Sequence, residues 1–191
     1  MKRIGITGGI GSGKSIISDV LTCMGIPTYN ADNASKRLIS TRKDLITALK
    51  KLLGSDIYVH GVLDKKRMAQ LIFNDKDLLA KVNGIIHPAV IEDFLSWSES
   101  QNAPLVACET AILFESNMSK LMDATITITA PLEIRIERCI KRDNATEEQI
   151  KARMNNQLSE EDRISQADHI IVNDGKMAIL PQIREVIKSL A

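Results

Sequence analysis

A glycine-rich segment near the beginning of the chain has the residue types that bind a nucleoside triphosphate. Residues 8–15 read Gly-Gly-Ile-Gly-Ser-Gly-Lys-Ser and satisfy every fixed position of the pattern G-x-x-x-x-G-K-[ST]. Glycines let backbone N–H groups approach a polyphosphate closely, Lys14 supplies a positive charge for the β- and γ-phosphates, and Ser15 supplies a hydroxyl for Mg²⁺. We therefore predict that this loop binds ATP with Mg²⁺.

Other nucleotide-binding patterns are absent from the sequence. No Asp has a Gly three residues later, as the D-x-x-G motif of GTPases requires. The glycine cluster also does not fit the dinucleotide fingerprint G-x-G-x-x-G. The pattern favours ATP and a group-transfer reaction over a GTP switch or a nicotinamide enzyme.

Two acids are candidates for the chemistry because each follows a predicted strand, at the sheet edge where ligands bind in α/β folds. Asp32 can accept a proton from an attacking hydroxyl, although Asp is also a favoured helix N-cap. Glu109 can hold Mg²⁺ or its waters, although a solvated strand-end carboxylate is the alternative.

A row of arginines is the third candidate group. Arg135, Arg138 and Arg142 stand at i, i+3 and i+7, so they share one face of a predicted helix. Guanidinium groups suit a transferring phosphoryl group. Alternatively, these arginines form an exposed stripe whose charge is neutralised by neighbouring acids. The same two interpretations apply to Arg153.

The elements that must position these residues form an alternating pattern of short strands and helices. Such a pattern predicts an α/β fold in which a parallel sheet is covered on both faces. Apolar and β-branched runs predict five strands, at Arg3–Thr7, Ile26–Tyr29, Pro104–Glu109, Ala124–Thr129 and His169–Asn173.

Two long connections predict insertions into a single domain that spans residues 1–191. The segment from about residue 30 to about 100 reads as a helical lobe with a break at His87-Pro88. The segment from about 142 to about 166 is rich in charge and reads as a mobile flap. Helix starts are predicted at Thr41-x-x-Asp44, Thr146-x-x-Gln149 and Ser159-x-x-Asp162.

The composition limits the partners and the compartment. Lys and Arg number 25 against 24 Asp and Glu, and this balance provides no overall field for a nucleic-acid backbone. No apolar run is long enough to span a membrane. The 3 cysteines are too widely spaced for a zinc cluster, and their odd number argues against a disulfide framework, so we expect a cytoplasmic protein.

The order and spacing of short motifs over nearly the whole chain resemble the dephospho-coenzyme A kinase family. The resemblance starts with the doubled glycine of Gly-Gly-Ile-Gly. It continues through Ala31-Asp32-x-x-x-x-Arg37, Gly61-x-Leu63-Asp64-x-x-x-Met68-Ala69, Phe73, Ile86-His87-Pro88, Ile112-Leu113-Phe114-Glu115, Arg138-x-x-x-Arg142-Asp143, Arg153-x-x-x-Gln157, Ala167-Asp168 and Val172-Asn173-Asp174-Gly175. The chain departs from the family at Asn30, where Asp is common, and at Ala111, where Pro is usual.

The resemblance implies a three-layer P-loop NTPase fold, akin to nucleoside monophosphate kinases, with a central five-stranded parallel sheet. It implies that the lobe at about 30–100 binds coenzyme A and that about 142–166 is a lid. The implied reaction transfers the γ-phosphate of ATP to the ribose 3′-hydroxyl of dephospho-CoA, and the products are CoA and ADP. The implied partner is this small molecule alone, with no nucleic acid and no membrane, and the protein is a monomer or a weak homo-oligomer.

The resemblance also implies roles for particular residues. Catalysis is expected to involve Lys14, Asp32 and Arg142, and the metal is expected at Ser15 and Glu109. The nucleotide is expected at Gly9, Gly11, Ser12, Gly13, Lys14, Ser15, Ile16, Arg138, Arg142, Arg153 and Asn173.

Two alternative functions stay open from the sequence. The first is another small-molecule kinase of the same architecture, which would act on a nucleoside or a nucleotide. The second is a nucleotide-responsive binding module in which ATP is a conformational signal and no acceptor exists. An acceptor-dependent ADP assay separates these possibilities.

Overall fold

The computed structural model describes residues 1–73 and 75–190, and its main feature is a five-stranded parallel sheet. The strands follow the order β2-β5-β1-β6-β7, and every neighbouring pair is parallel. A two-stranded antiparallel hairpin, β3-β4, is separate. The strands are β1 (Lys2–Gly8), β2 (Thr28–Asn30), β3 (Tyr58–Val59), β4 (Val62–Leu63), β5 (Leu105–Glu109), β6 (Ala124–Thr129) and β7 (His169–Val172).

The five predicted strands are confirmed, and none of their ends differs by more than two residues. The predicted α/β class is also confirmed, because helices fill the connections between the strands. These helices are α1 (Lys14–Cys23), α2 (Ala31–Thr41), α3 (Lys43–Leu53), α4 (Lys65–Phe73), α5 (Lys76–Glu99), α6 (Leu132–Asp143), α7 (Glu147–Met154), α8 (Glu160–Gln166) and α9 (Ile179–Leu190). None of these described helices is both long enough and apolar enough to cross a membrane.

The described chain divides into two compact units. One unit runs from Met1 to Asn30 and resumes at Gln101, and it contains the five-stranded sheet. The other unit is Ala31–Ser100, which holds α2 to α5 and the hairpin.

The sheet unit is a three-layer structure because its strands alternate side chains between two covered faces. On one face, Ile4 and Ile6 of β1 are fully buried in an aliphatic cluster with residues of α1 and α9, such as Ile17 and Ile183. On the other face lies Gly5, where a Cβ would overlap the buried side chain of Leu113. The aliphatic core therefore holds β1 in the centre of the sheet.

The second unit is organised around its longest helix, α5, which packs against α2, α3 and α4. Leu49, Ile57 and Phe94 are fully buried there, and the Tyr58 hydroxyl donates to the Ile39 carbonyl at 2.6 Å. At the surface, Arg42 joins α3 to α5 through a 2.6 Å contact with Glu92.

The predicted break at His87-Pro88 is wrong, because α5 continues through Pro88. Proline removes one N–H donor and its ring crowds the carbonyl four residues earlier, which here belongs to Gly84. Residues on both sides of the proline are buried, including Val82 and Ile86 before it and Val90 after it. Burial of both halves compensates for the missing hydrogen bond, so one helix persists.

Two of the three predicted helix starts are confirmed. Thr146 forms a reciprocal capping box with Gln149, and the Ser159 hydroxyl accepts from the Asp162 amide at 3.0 Å. The start predicted at Thr41 is wrong. Thr41 is the last residue of α2, and its hydroxyl donates to the Arg37 carbonyl at 2.9 Å instead of capping α3.

The first turn of α8 is joined to α6 by a half-buried carboxylate that two buried arginines share. Arg163 is only 1% exposed and Arg135 only 7% exposed. Both guanidinium groups donate to the same oxygen of Glu160, at 2.8 Å from Arg163 and 2.9 Å from Arg135. Arg163 also donates to the Leu158 carbonyl at 2.5 Å. Two buried positive charges therefore depend on one carboxylate.

Replacing that carboxylate should destabilise the fold strongly. We expect Glu160→Ala to lower the free energy of unfolding by about 3 kcal/mol, because it leaves two buried guanidinium groups without their counter-charge. The control is Glu161→Ala, which removes the adjacent, exposed carboxylate and should change stability by less than about 0.5 kcal/mol. Urea unfolding measures both, and equal effects of the two substitutions would show that Glu160 does not stabilise the two buried guanidinium groups.

Candidate active site

The predicted phosphate-binding loop lies between the end of β1 and the start of α1. Gly11 and Gly13 have φ values of +80° and +94°, a region that favours glycine. Gly13 is the N-cap of α1 and has no side chain to accept from the first amides of the helix. The Lys14 ammonium donates to the Gly8 carbonyl at 2.8 Å across the loop. The open helix N-terminus and the lysine together suit a bound anion.

The loop is supported from outside by side chains that bind its carbonyl oxygens. The buried Asn173 amide donates to the Ser12 carbonyl at 2.8 Å. One nitrogen of Arg138 lies 3.4 Å from the carbonyl oxygens of Gly11 and Ser12, and the other is 3.3 Å from Asn173 Oδ1. Because a trans peptide points its C=O and the next N–H in opposite directions, these contacts turn the Gly13 amide to the other side of the loop.

Glycines are also required by the close approach of these supporting groups. A Cβ on Gly9 would overlap the guanidinium of Arg135, and a Cβ on Gly13 would overlap the amide of Asn173. Two residues predicted to bind the nucleotide, Arg138 and Asn173, thus contact the backbone of the loop in this structure.

Ser15 and Glu109, the predicted metal ligands, lie in direct contact. The Ser15 hydroxyl donates to one oxygen of Glu109 at 3.2 Å, and the Asn30 amide donates to the other at 3.0 Å. Glu109 is only 6% exposed and ends β5, beside β1 in the sheet. Sheet order therefore brings together residues that are 94 positions apart.

This donor set fits Mg²⁺ in a nucleotide complex. Mg²⁺ usually takes one or two protein oxygens and completes its shell with phosphate oxygens and water. Within residues 1–73 and 75–190, no group of three or more His, Cys, Asp or Glu residues could hold a metal by itself. A hydroxyl and one carboxylate suit a cation that arrives with its nucleotide.

Asp32 is an exposed residue in the first turn of α2. The helix begins at Ala31, so Asp32 is its second residue. An acid in the first turn also interacts favourably with the helix dipole. Asp32 follows Asn30 by two positions along the chain, immediately after β2.

The structure gives the predicted arginines different surroundings. Arg135 is buried behind the loop and Arg138 contacts loop carbonyls, whereas Arg142 is exposed near the end of α6. Arg142 donates two hydrogen bonds to Asp143, at 2.7 and 3.0 Å, and Arg153 of α7 donates a third at 2.9 Å. The Arg142 guanidinium, assisted by Arg153, lowers the pKa of the Asp143 carboxyl below its usual value. Arg142 and Arg153 therefore share one carboxylate.

Several supporting residues were missed from the sequence. The Gln157 side-chain oxygen accepts from the Ile10 amide at 2.9 Å, and Glu115 accepts from the Leu158 amide at 3.1 Å. Gln157 and Glu115 both belong to motifs that carry the family resemblance, but the resemblance does not indicate what either residue does. The spacing of Glu160 and Arg163 indicates a helical ion pair, but nothing in the sequence indicates that Arg135 is a second partner of Glu160.

Comparisons with known proteins agree on one family. The family model described as "Dephospho-CoA kinase" matches residues 2–178. A dephospho-CoA kinase from Bacteroides fragilis is 41% identical over 189 residues, which cover 98% of this chain and 92% of the relative. The crystal structure of TT1252 from Thermus thermophilus superimposes with a TM-score of 0.84 at 31% identity, covering 99% of this chain and 95% of the other. Dephospho-CoA kinase from Campylobacter jejuni shares the fold, with a TM-score of 0.70 at 22% identity and coverage of 98% and 96%.

The contact between Asn30 and Glu109 predicts a cation-dependent effect of a second carboxylate. Asn30→Asp replaces a hydrogen-bond donor with a negative charge about 3 Å from Glu109. Without divalent cations, we expect the free energy of unfolding to fall by about 1–2 kcal/mol and the Tm to decrease by about 3–6 °C. Mg²⁺ with ATP should reverse most of this decrease. The control is Asn102→Asp, the same change at an exposed loop position. A Tm decrease that Mg²⁺ and ATP leave unchanged would contradict a metal site at Glu109.

Proposed function

The chain belongs to the dephospho-CoA kinase family, and we propose that it phosphorylates the ribose 3′-hydroxyl of dephospho-CoA with ATP, giving CoA and ADP in coenzyme A biosynthesis. The family match over residues 2–178 supports the substrate. The single structural observation that carries the proposal is the loop of residues 8–15, with Lys14 at its end and the Ser15–Glu109 pair beside it. We further propose that the protein is a cytoplasmic monomer or weak homo-oligomer without nucleic-acid or membrane partners. The net charge of +1, which provides no field for a polyanion, supports the absence of a nucleic-acid partner.

The triphosphate of ATP is proposed to occupy the loop and the N-terminus of α1. The proposed contacts come from the backbone at Gly9, Gly11, Ser12, Gly13 and Ile16, from the Lys14 ammonium, and from Arg138 and Asn173 at the back of the loop. Several amides in fixed orientations neutralise phosphate charge without reorganisation during the reaction. Mg²⁺ would be held by Ser15 and Glu109, and it would neutralise charge that develops on the β- and γ-phosphate oxygens.

Asp32 is proposed to orient the 3′-hydroxyl and to accept its proton. Phosphoryl transfer proceeds through a loose transition state, so a carboxylate is a sufficient base when the hydroxyl is well placed. The position of Asp32 in the chain, two residues after the end of β2, supports this role, because ligands in α/β folds bind beyond the carboxyl ends of strands. Positioning then contributes most of the rate acceleration.

The segment at about 142–166 is proposed to be a lid. Two arginines of this lid, Arg142 and Arg153, are proposed to bind the transferring phosphoryl group. Both guanidinium groups are exposed and both contact Asp143, so phosphate oxygens can share or replace that carboxylate as a partner. A closed lid would also exclude water and limit hydrolysis of ATP.

Replacing Lys14 tests the phosphate site. We expect Lys14→Ala to lower kcat/KM by about three orders of magnitude, because the β- and γ-phosphates lose a positive charge in the transition state. Acceptor-dependent ADP formation with dephospho-CoA measures this, and thermal unfolding shows that the protein stays folded. The matched control is Lys43→Ala, an exposed lysine that is also the first residue of a helix. Near-normal turnover of the Lys14 variant would contradict the proposed site.

Replacing Asp32 separates a base from a binding residue. Asp32→Asn keeps the shape but cannot take a proton, so kcat should fall by about 10²–10³-fold while ATP affinity changes less than about threefold. Asp77→Asn is the matched control, because Asp77 is likewise an exposed acid in the first turn of a helix. An unchanged kcat with a raised KM for dephospho-CoA would make Asp32 a substrate-binding residue.

A second candidate is a kinase of the same fold that prefers a nucleoside or a nucleotide. The shared fold does not specify the acceptor, because function depends on the site and not on the architecture. Comparing ADP formation with dephospho-CoA, nucleosides and nucleotides decides between the two acceptor classes. ADP formation that no acceptor accelerates would instead favour a nucleotide-responsive binding module.

A further inference from the structure

In the phosphate loop, the amide, the carbonyl and the side chain of Ile10 all contact residues 132–166. These residues comprise α6, α7 and α8 and form the α6–α8 segment. The Ile10 amide donates to Gln157 Oε1 at 2.9 Å, and its carbonyl accepts from Arg135 Nε at 3.0 Å. Its side chain packs against the buried cluster of Ile136, Cys139 and Ile150. Position 10 is variable in the general phosphate-loop pattern, so these contacts are additional to that pattern.

Fixing Ile10 has consequences for the loop on both sides of it. The amide and the carbonyl of Ile10 belong to two successive peptide planes, and the hydrogen bond donated to Gln157 and the one accepted from Arg135 set the orientation of both. Ser12 is constrained in addition, because its amide donates to the Gly9 carbonyl at 3.1 Å. The Ile10 amide is thereby directed to Gln157 and is not a donor for phosphate.

Gln157 is itself held in place by the residues that follow it. It lies in the connection between α7 and α8. The next residue, Leu158, donates its amide to Glu115 at 3.1 Å and accepts from the buried Arg163 at 2.5 Å. An acceptor fixed in this way can hold the loop before any nucleotide binds.

We propose that Gln157 is a positioning residue for the nucleotide, which acts through the Ile10 amide and keeps the phosphate loop in its binding conformation. This inference rests on the proposed binding of ATP to the loop. A loop already ordered in the free protein loses less conformational entropy when the triphosphate binds, so its order contributes to affinity. Gln157 thus acts on the nucleotide without touching it.

Gln157→Leu removes the acceptor and keeps a side chain of similar size. We expect the KM for ATP to rise about tenfold, with the KM for dephospho-CoA changed little. Gln166→Leu is the matched control, because Gln166 is an exposed glutamine of the same segment whose amide contacts only the Asp162 carbonyl of its own helix in the described contacts. Equal effects on both KM values, or no difference from the Gln166 variant, would overturn the proposal.

A second measurement observes the hydrogen bond directly in the free protein. Hydrogen exchange of the Ile10 amide, followed by NMR without nucleotide, should become at least about tenfold faster in Gln157→Leu. Gln157→Glu keeps an acceptor oxygen and should retain slow exchange at Ile10. Fast exchange in the Glu variant, or slow exchange in the Leu variant, would show that Gln157 does not hold this amide.

The experiments distinguish a failure of the role proposed for Gln157 from a failure of the proposed nucleotide site. If Lys14→Ala abolishes turnover while Gln157→Leu leaves both the KM for ATP and the exchange of Ile10 unchanged, only the role of Gln157 fails. If Lys14→Ala is fully active, the nucleotide site itself is misplaced, whatever the exchange of Ile10 shows.

Discussion

The structure depends on how the carbonyl groups of the phosphate loop are bound. A loop can present several amides to an anion only if its carbonyl oxygens find partners elsewhere, since unpaired buried carbonyls are costly. Asn173 and Arg138 bind these oxygens at Ser12, and Arg135 binds the one at Ile10. Three side chains from the C-terminal half of the chain therefore complete a site that begins at residue 8.

Sheet order explains why residues so far apart in sequence can meet. With β1 between β5 and β6, the loop after β1 lies beside Glu109 at the end of β5. On the other side, β7 lies next to β6, and Asn173 follows β7 directly. Packing of the aliphatic core supports this strand order and brings the acid, the amide and the loop together, and hydrogen bonds from Ser15 to Glu109 and from Asn173 to Ser12 then join them.

Arginine is used for two distinct purposes in this protein. Arg135 and Arg163 are buried, share Glu160 and hold parts of the structure in place. Arg142 and Arg153 are exposed and share Asp143, and these are the arginines that we propose bind the transferring phosphoryl group. Exposed pairs of this kind contribute little to stability, whereas removing the partner of a buried charge is costly.

The phosphate loop, the strands and two helix caps were predictable from the sequence because each depends on neighbouring residues. Glycines give the loop its positive φ values, apolar and β-branched runs form the strands, and Thr146 and Ser159 precede helices. Local signals failed at Pro88, where burial on both sides maintains one helix. The hydrogen bond between the Ile10 amide and Gln157, 147 positions away, follows from tertiary packing alone. Such a contact leaves no periodicity or spacing in the chain, since it arises when separately folded elements pack together.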